Sequence, residues 1–223
     1  MPVSVLHLPK LPAAAGKQHW GNLPGAALSL AVAEAASAAK RFTLLLTADS
    51  QSAERLQEEL AFFAPDLPVL HFPDWETLPY DVFSPHQDII SQRIATLYRL
   101  PEIKHGVLVV PIATALHRLA PTRFLLGSGL VLDVGQKLDV EEMRARLEAA
   151  GYRCVDTVYE HGEFAVRGAL IDLFPMGSET PYRIDLFDDE IETLRTFDPE
   201  TQRSVDKVES IRLLPAREFP LEK

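Results

Sequence analysis

The sequence predicts an α/β protein with two domains, a parallel-sheet domain followed by a smaller α+β domain. Helical and apolar strand patterns alternate over the first half of the chain, whereas the second half has one helical pattern and then reads as strands and turns. A shift in composition at residues 121–129 separates the two halves. We therefore predict one domain over residues 1–125, a second over 126–214, and a linker segment over 215–223.

The first predicted domain alternates helices with short apolar strands. Residues 23–40 are rich in alanine and favour a helix. Residues 42–47 and 106–110 are short apolar runs of the kind found in buried strands. Between those two runs, one face of a helix is marked by Ala53, Leu56, Leu60 and Phe63. Helices that alternate with apolar strands predict a parallel sheet covered on both sides.

The second predicted domain contains a strand with two contrasting faces. In residues 182–187, Ile184 and Leu186 share one parity, and Arg183, Asp185 and Phe187 share the other. Successive side chains of a strand point to opposite faces, so burial of Ile184 and Leu186 would leave Phe187 outside beside an arginine.

An earlier strand repeats this arrangement, with Phe164 and Val166 on one side and Arg167 on the other. An exposed phenylalanine near two arginines is typical of a protein-binding hot spot. The alternative interpretation is a cross-strand charge pair beside an ordinary exposed aromatic side chain.

Composition predicts a water-soluble protein of the cytoplasm without a membrane partner. Hydrophobic residues make up 47% of the 223 residues, yet no apolar run approaches the roughly 20 residues of a membrane span. The N-terminus shows no secretory signal. Cys154 is the only cysteine, so it cannot form an internal disulfide, which suits a reducing compartment.

Charge is distributed unevenly along the chain. Residues 124–223 carry 12 Lys and Arg against 21 Asp and Glu, whereas residues 1–123 carry 10 against 11. An acidic surface repels phosphate backbones, which argues against non-specific DNA binding. A few arginines within that surface favour a specific partner of complementary charge, although acidity that only maintains solubility remains the alternative.

Two sequence runs of the second domain resemble a known family. The runs G-E-F-A-V-R-G-A-L-I-D-L-F-P (162–175) and Y-R-I-D-L-F-D-D-E-I-E (182–192) are similar to the second domain of bacterial UvrB, and more so to transcription-repair coupling factors (Mfd). The block D-W-E-T-L-P-Y-D-V-F-S-P-H-Q-D-I-I-S-Q-R (74–93) resembles the coupling factors and not UvrB. The resemblance covers about residues 20–219 and implies an N-terminal piece of a larger protein.

The resemblance implies a nucleotide-binding fold that has lost its ligand chemistry. A phosphate-binding loop requires the pattern G-x-x-x-x-G-K-[ST]. Residues 21–29 instead read G-N-L-P-G-A-A-L-S, with the glycines one residue too close and Ala26 at the lysine position. We expect no ATPase activity, cofactor, metal or catalytic residue in this chain, while ATP and Mg belong to a motor elsewhere in the family's full-length protein. Nor is there room after Tyr80 for the long DNA-gripping hairpin of UvrB.

The resemblance also implies a partner. The second domain of the family docks onto UvrA, the damage sensor of nucleotide excision repair, and the matching positions here are Arg167, Arg183 and Phe187. RNA polymerase and DNA would be bound only through other domains of the full-length protein. Two alternatives stay open: an intramolecular clamp against other domains of the same protein, and an ATP-dependent helicase fragment of UvrB type.

Overall fold

The computed structural model describes residues 16–78, 81–127 and 129–220. Its α-helices are α1 (Ala27–Ala39), α2 (Ser50–Phe63), α3 (Gln87–Arg99), α4 (Ile112–Ala115), α5 (Thr122–Gly127) and α6 (Val140–Ala149). Its strands are β1 (Phe42–Thr47), β2 (Val69–His71), β3 (Gly106–Pro111), β4 (Leu130–Asp133), β5 (Arg153–Cys154), β6 (Glu163–Arg167), β7 (Leu170–Leu173), β8 (Tyr182–Phe187), β9 (Glu190–Phe197), β10 (Ser204–Val208) and β11 (Ser210–Leu213).

The chain packs into two compact units. The described residues of the first unit are 16–74 and 100–117, and those of the second are 75–78, 81–99, 118–127 and 129–220. Helix α3 thus packs within the second unit, although it precedes the predicted domain border at residue 125 in sequence. That border stays a prediction, since packing units and sequence domains need not share their limits.

The first unit is built on a three-stranded parallel sheet in the order β1-β3-β2. The central strand β3 is buried throughout, as its apolar run predicts. Helix α2 begins with a side-chain cap, because Asp49 accepts a hydrogen bond from the Ser52 N–H at 2.7 Å. Of its predicted core residues, Ala53, Leu56 and Leu60 are buried, and Phe63 is partly buried against the same core.

The expectation of a fully buried β1 is wrong. This strand lies at the edge of the sheet, and Leu44 and Leu46 are about half exposed among the described residues. Only alternate side chains of β1, such as Leu45, pack against the core formed with α1, α2 and β3. A short apolar run therefore fits either a central strand or an edge strand.

The second unit contains a six-stranded sheet in the order β10-β9-β8-β7-β6-β5. All neighbours pair antiparallel except β5 and β6, which are parallel. Ile171, Ile184 and Leu194 lie opposite one another on adjacent strands and form the buried face. Strands β4 and β11 form a separate antiparallel pair. The chain is thus mixed α/β with one parallel and two largely antiparallel sheets, which confirms the coarse fold class.

Glu163 stabilises the start of β6 and gives the fold a predictable acid sensitivity. Burial raises the pKa of Glu163, but hydrogen bonds from the N–H groups of Tyr159 and Glu160 and from Arg153 outweigh burial and leave that pKa below its usual range. A carboxylate with a lowered folded-state pKa stabilises the fold above its unfolded-state pKa. This contribution is lost as the pH falls through the folded-state pKa.

We therefore expect Glu163→Gln to lower the free energy of unfolding at pH 7 and to flatten its decline below about pH 4. Urea denaturation at pH 7 and at a series of pH values from 4 downward measures both effects. The exposed Glu179, changed to glutamine, is the control and should leave both values unaltered. An acid-induced loss of stability as steep in Glu163→Gln as in the wild type would contradict the expectation.

Candidate partner-binding face

The three predicted site residues lie on one face of the six-stranded sheet. Strand register places Asp172 opposite Arg183, and Arg183 opposite Arg195. One row further along, Leu170 lies opposite both Arg167 and Asp185. Phe187 follows Asp185 by two residues on the same strand and shares its parity. We call this surface the arginine face and define it by Arg167, Asp172, Arg183, Asp185, Phe187 and Arg195.

Asp172 is the buried centre of the arginine face. Its side chain is 1% exposed and accepts hydrogen bonds from both predicted site arginines. Arg183 donates from Nε at 2.7 Å and from Nη2 at 2.9 Å, and Arg167 donates from Nη2. One carboxylate thus fixes two guanidinium groups that come from different strands.

Arg183 is held more tightly than its sequence position predicts. Its side chain is only 16% exposed, so the expectation that it stands free in water is wrong. The guanidinium carbon lies 5.0 Å from the ring centre of Phe197, and Nη1 donates to the Gln202 carbonyl at 3.2 Å. The hydrogen bond to Asp172 raises the pKa of Arg183. Arg167, by contrast, is 47% exposed and open to a partner.

Phe187 points into solvent, as strand alternation predicts. Ile184 and Leu186 are buried, and Phe187 is 70% exposed. A bulge after Asp185 inserts one extra residue of β9, so Leu186 and its neighbour Ile191 both face the core. The β8–β9 turn that follows Phe187 is made by Asp188, which has a positive φ of 53°, and Asp189.

The structure also shows both features of the alternative interpretation, a cross-strand charge pair and an ordinary exposed aromatic side chain. Asp172 and Arg183 form the cross-strand charge pair, and Phe187 is the exposed aromatic residue near it. Sequence reasoning missed Asp172, although its parity in L-I-D-L opposes that of Ile171 and Leu173. The sequence did offer a signal for Asp172. It is an acidic residue on the outer side of an otherwise apolar strand, and two neighbouring strands carry arginines.

The loop predicted to be a degenerate phosphate-binding loop precedes α1. Gly25 has a positive φ of 55°, and Ala26 stands at the helix N-cap. Ser29 is fully buried, and its hydroxyl donates to the Glu59 carboxylate. The side chains present therefore do not fit a phosphate, because Ala26 and Ala27 stand where the motif requires its lysine and its hydroxyl.

Within residues 16–78, 81–127 and 129–220, no three His, Cys, Asp or Glu side chains are grouped as metal ligands. In the same part of the chain, no helix has the length and apolar character needed to cross a membrane.

Comparison with known proteins identifies the region that bears the arginine face. The family model of the UvrB interaction domain matches residues 130–219. These residues are similar to a UvrB interaction domain. The domain includes strands β4 to β11 and all residues of the arginine face.

Whole-chain comparison finds the transcription-repair-coupling factors. The chain is 54% identical over 214 residues to that of Escherichia coli (strain K12), which covers 96% of this chain and 19% of the relative. It is 50% identical over 200 residues to the factor of Haemophilus influenzae, a match that covers 90% of this chain and 17% of the relative. It is 30% identical over 203 residues to the factor of Bacillus subtilis, a match that covers 91% of this chain and 17% of the relative. The predicted resemblance to this family is confirmed. The chain spans about a fifth of the length of these relatives.

Proposed function

We propose that this chain is the N-terminal module of a transcription-repair coupling factor and that its UvrB interaction domain recruits UvrA. The observation that carries the proposal is the arginine face, on which Asp172 fixes Arg167 and Arg183 beside the exposed Phe187. Exposed aromatic rings and arginines dominate the energetics of protein interfaces. Arginines already held in place lose little conformational entropy on binding.

The proposed mechanism is mimicry of UvrB. The full-length protein would halt at stalled RNA polymerase, and the arginine face would bring UvrA to the lesion. RNA polymerase and DNA would be contacted by other domains, because the acidic residues 124–223 repel a phosphate backbone. We place the protein in the cytoplasm, where these partners act.

The parallel-sheet unit has a supporting role in this proposal. We propose that residues 1–125 form a degenerate nucleotide-binding-like domain without ATPase activity or cofactor, and that residues 126–214 form the UvrA-binding domain. Ala26 at the lysine position and Ala27 at the hydroxyl position support the loss of phosphate chemistry. ATP and Mg would be used by the motor of the full-length protein.

The decisive variant is Phe187→Ala. We expect it to weaken UvrA binding by about 2 kcal/mol, or about thirtyfold in Kd, if the ring fills a pocket on the partner. Stability should hardly change, because the ring is 70% exposed. Calorimetric titration of purified UvrA into each variant measures the affinity.

Phe62→Ala is the matched control, since Phe62 is a similarly exposed phenylalanine on α2. It should bind UvrA like the wild type. Equal affinities of wild type and Phe187→Ala would remove Phe187 from the proposed interface. Absence of any UvrA affinity in the wild type would refute the recruitment role. It would favour the intramolecular clamp if the remaining domains of the protein bound this chain in trans.

A further inference from the structure

A shallow depression lies on the arginine face beside Phe187. It is lined by Arg167, Leu170, Asp185, Glu192, Thr193 and Arg195, among others. Thr193 donates its hydroxyl to Asp185 at 2.9 Å, so that carboxylate is already engaged within the wall. Gly168, with a positive φ of 63°, forms the tight β6–β7 turn with Ala169.

Arg195 stands out in this depression because it forms no ion pair among the described residues, although the carboxylates of Asp185 and Glu192 line the same depression. Register places it between Arg183 on β8 and Lys207 on β10, so three cations lie in one row across the sheet. Like charges directly opposite each other on adjacent strands are destabilising. Arg183 is compensated by Asp172, whereas no ion pair involves Arg195 or Lys207 in the described part of the chain.

The Arg195 side chain also has an unmet hydrogen bond. Its Nε is buried and finds no acceptor among the described residues. Buried polar groups in folded proteins nearly always have a partner, so an orphaned guanidinium N–H on a candidate interface indicates an acceptor that comes from outside. A guanidinium binds a carboxylate through two parallel hydrogen bonds, and the buried Nε of Arg195 joins such a pair only when the side chain turns outward.

We infer that the depression receives a carboxylate side chain of the partner and that Arg195 anchors it, with Arg167 as the second cation. This inference rests on the proposed recruitment of UvrA and specifies the chemistry of the UvrA segment that docks beside Phe187. The domain as a whole is acidic, so a local row of cations selects an acidic patch on the partner and repels basic ones.

The test compares Arg195→Gln and Arg195→Lys with the wild type in calorimetric titrations of UvrA, together with thermal melts of each variant. We expect Arg195→Gln to weaken binding by about tenfold or more, and Arg195→Lys to fall between, because an ammonium keeps the charge but loses the planar fork. The melting temperature of Arg195→Gln should stay unchanged or rise, because a like charge and an unsatisfied donor are removed.

Arg123→Gln on α5 removes one exposed arginine outside the UvrB interaction domain and is the matched control for net charge. This inference would be overturned if Arg195→Gln bound UvrA within about twofold of the wild-type affinity while Phe187→Ala bound UvrA more weakly. The recruitment role would still stand in that case. A loss of affinity accompanied by a lower melting temperature would also overturn it, since Arg195 would then act on the fold. If the wild type fails to bind UvrA, both proposals fall.

Discussion

Replacing Asp172 by alanine is expected to lower the free energy of unfolding by about 3 kcal/mol. The carboxylate is 1% exposed and pairs with Arg167 and Arg183. Its removal leaves Arg183, whose side chain is only 16% exposed, without the charge that balances it. Breaking a buried ion pair from one side is among the most destabilising changes a single substitution can make.

The same substitution should weaken UvrA binding by about 2 kcal/mol, even though Asp172 is too deeply buried to touch a partner. Without the carboxylate, Arg167 and Arg183 regain rotamer freedom that binding must then remove. Urea denaturation and calorimetric titration measure the two effects on the same protein. The binding measurement must be made well below the lowered melting temperature, so that unfolded protein does not mimic weak binding.

Asp185→Ala is the matched control for Asp172→Ala. Asp185 lies one row along the same face, is partly exposed and accepts a hydrogen bond from the Thr193 hydroxyl. We expect a loss of stability below about 1 kcal/mol. If Asp172→Ala lost no more stability than Asp185→Ala, Asp172 would not be the group that organises the arginine face.

Local patterns predicted the orientation of side chains on this face but not their partners. The alternation of residues 182–187 was enough to place Phe187 outside and Ile184 and Leu186 inside, because the period of a strand is fixed by its backbone. The cluster around Asp172 depends on which strands are neighbours and in what register. Neither follows from the sequence of a single strand.

The same limit explains the two errors of burial. Arg183 was expected to be exposed, yet Asp172 and the ring of Phe197 cover it from β7 and β9. Strand β1 was expected to be buried, yet it forms a sheet edge. In both cases the local sequence gives the direction of a side chain, whereas its burial depends on the residues that pack from elsewhere in the chain.

Glu218 is expected to be as important for the fold of the second unit as Asp172 is for the arginine face. Its carboxylate accepts hydrogen bonds from Arg93 Nε at 2.9 Å, Arg93 Nη2 at 2.8 Å and Trp75 Nε1 at 2.9 Å. Arg93 on α3 has a side chain with 0% exposure, and its guanidinium lies 4.5 Å from the centre of the Trp75 ring. These contacts fasten the stretch after β11 to helix α3.

We expect Glu218→Ala to lower the free energy of unfolding by about 3–5 kcal/mol, because it leaves a buried guanidinium without the carboxylate that now neutralises it. Trp75→Phe removes only the indole donor and should cost about 1 kcal/mol. The double variant Arg93→Met with Glu218→Leu should recover only part of the loss, since apolar side chains of similar volume need no counter-charge but the Trp75 N–H loses its hydrogen bond to Glu218. Urea denaturation of the three variants decides the matter: if Glu218→Ala proves no less stable than Trp75→Phe, the carboxylate does not hold this part of the chain in place.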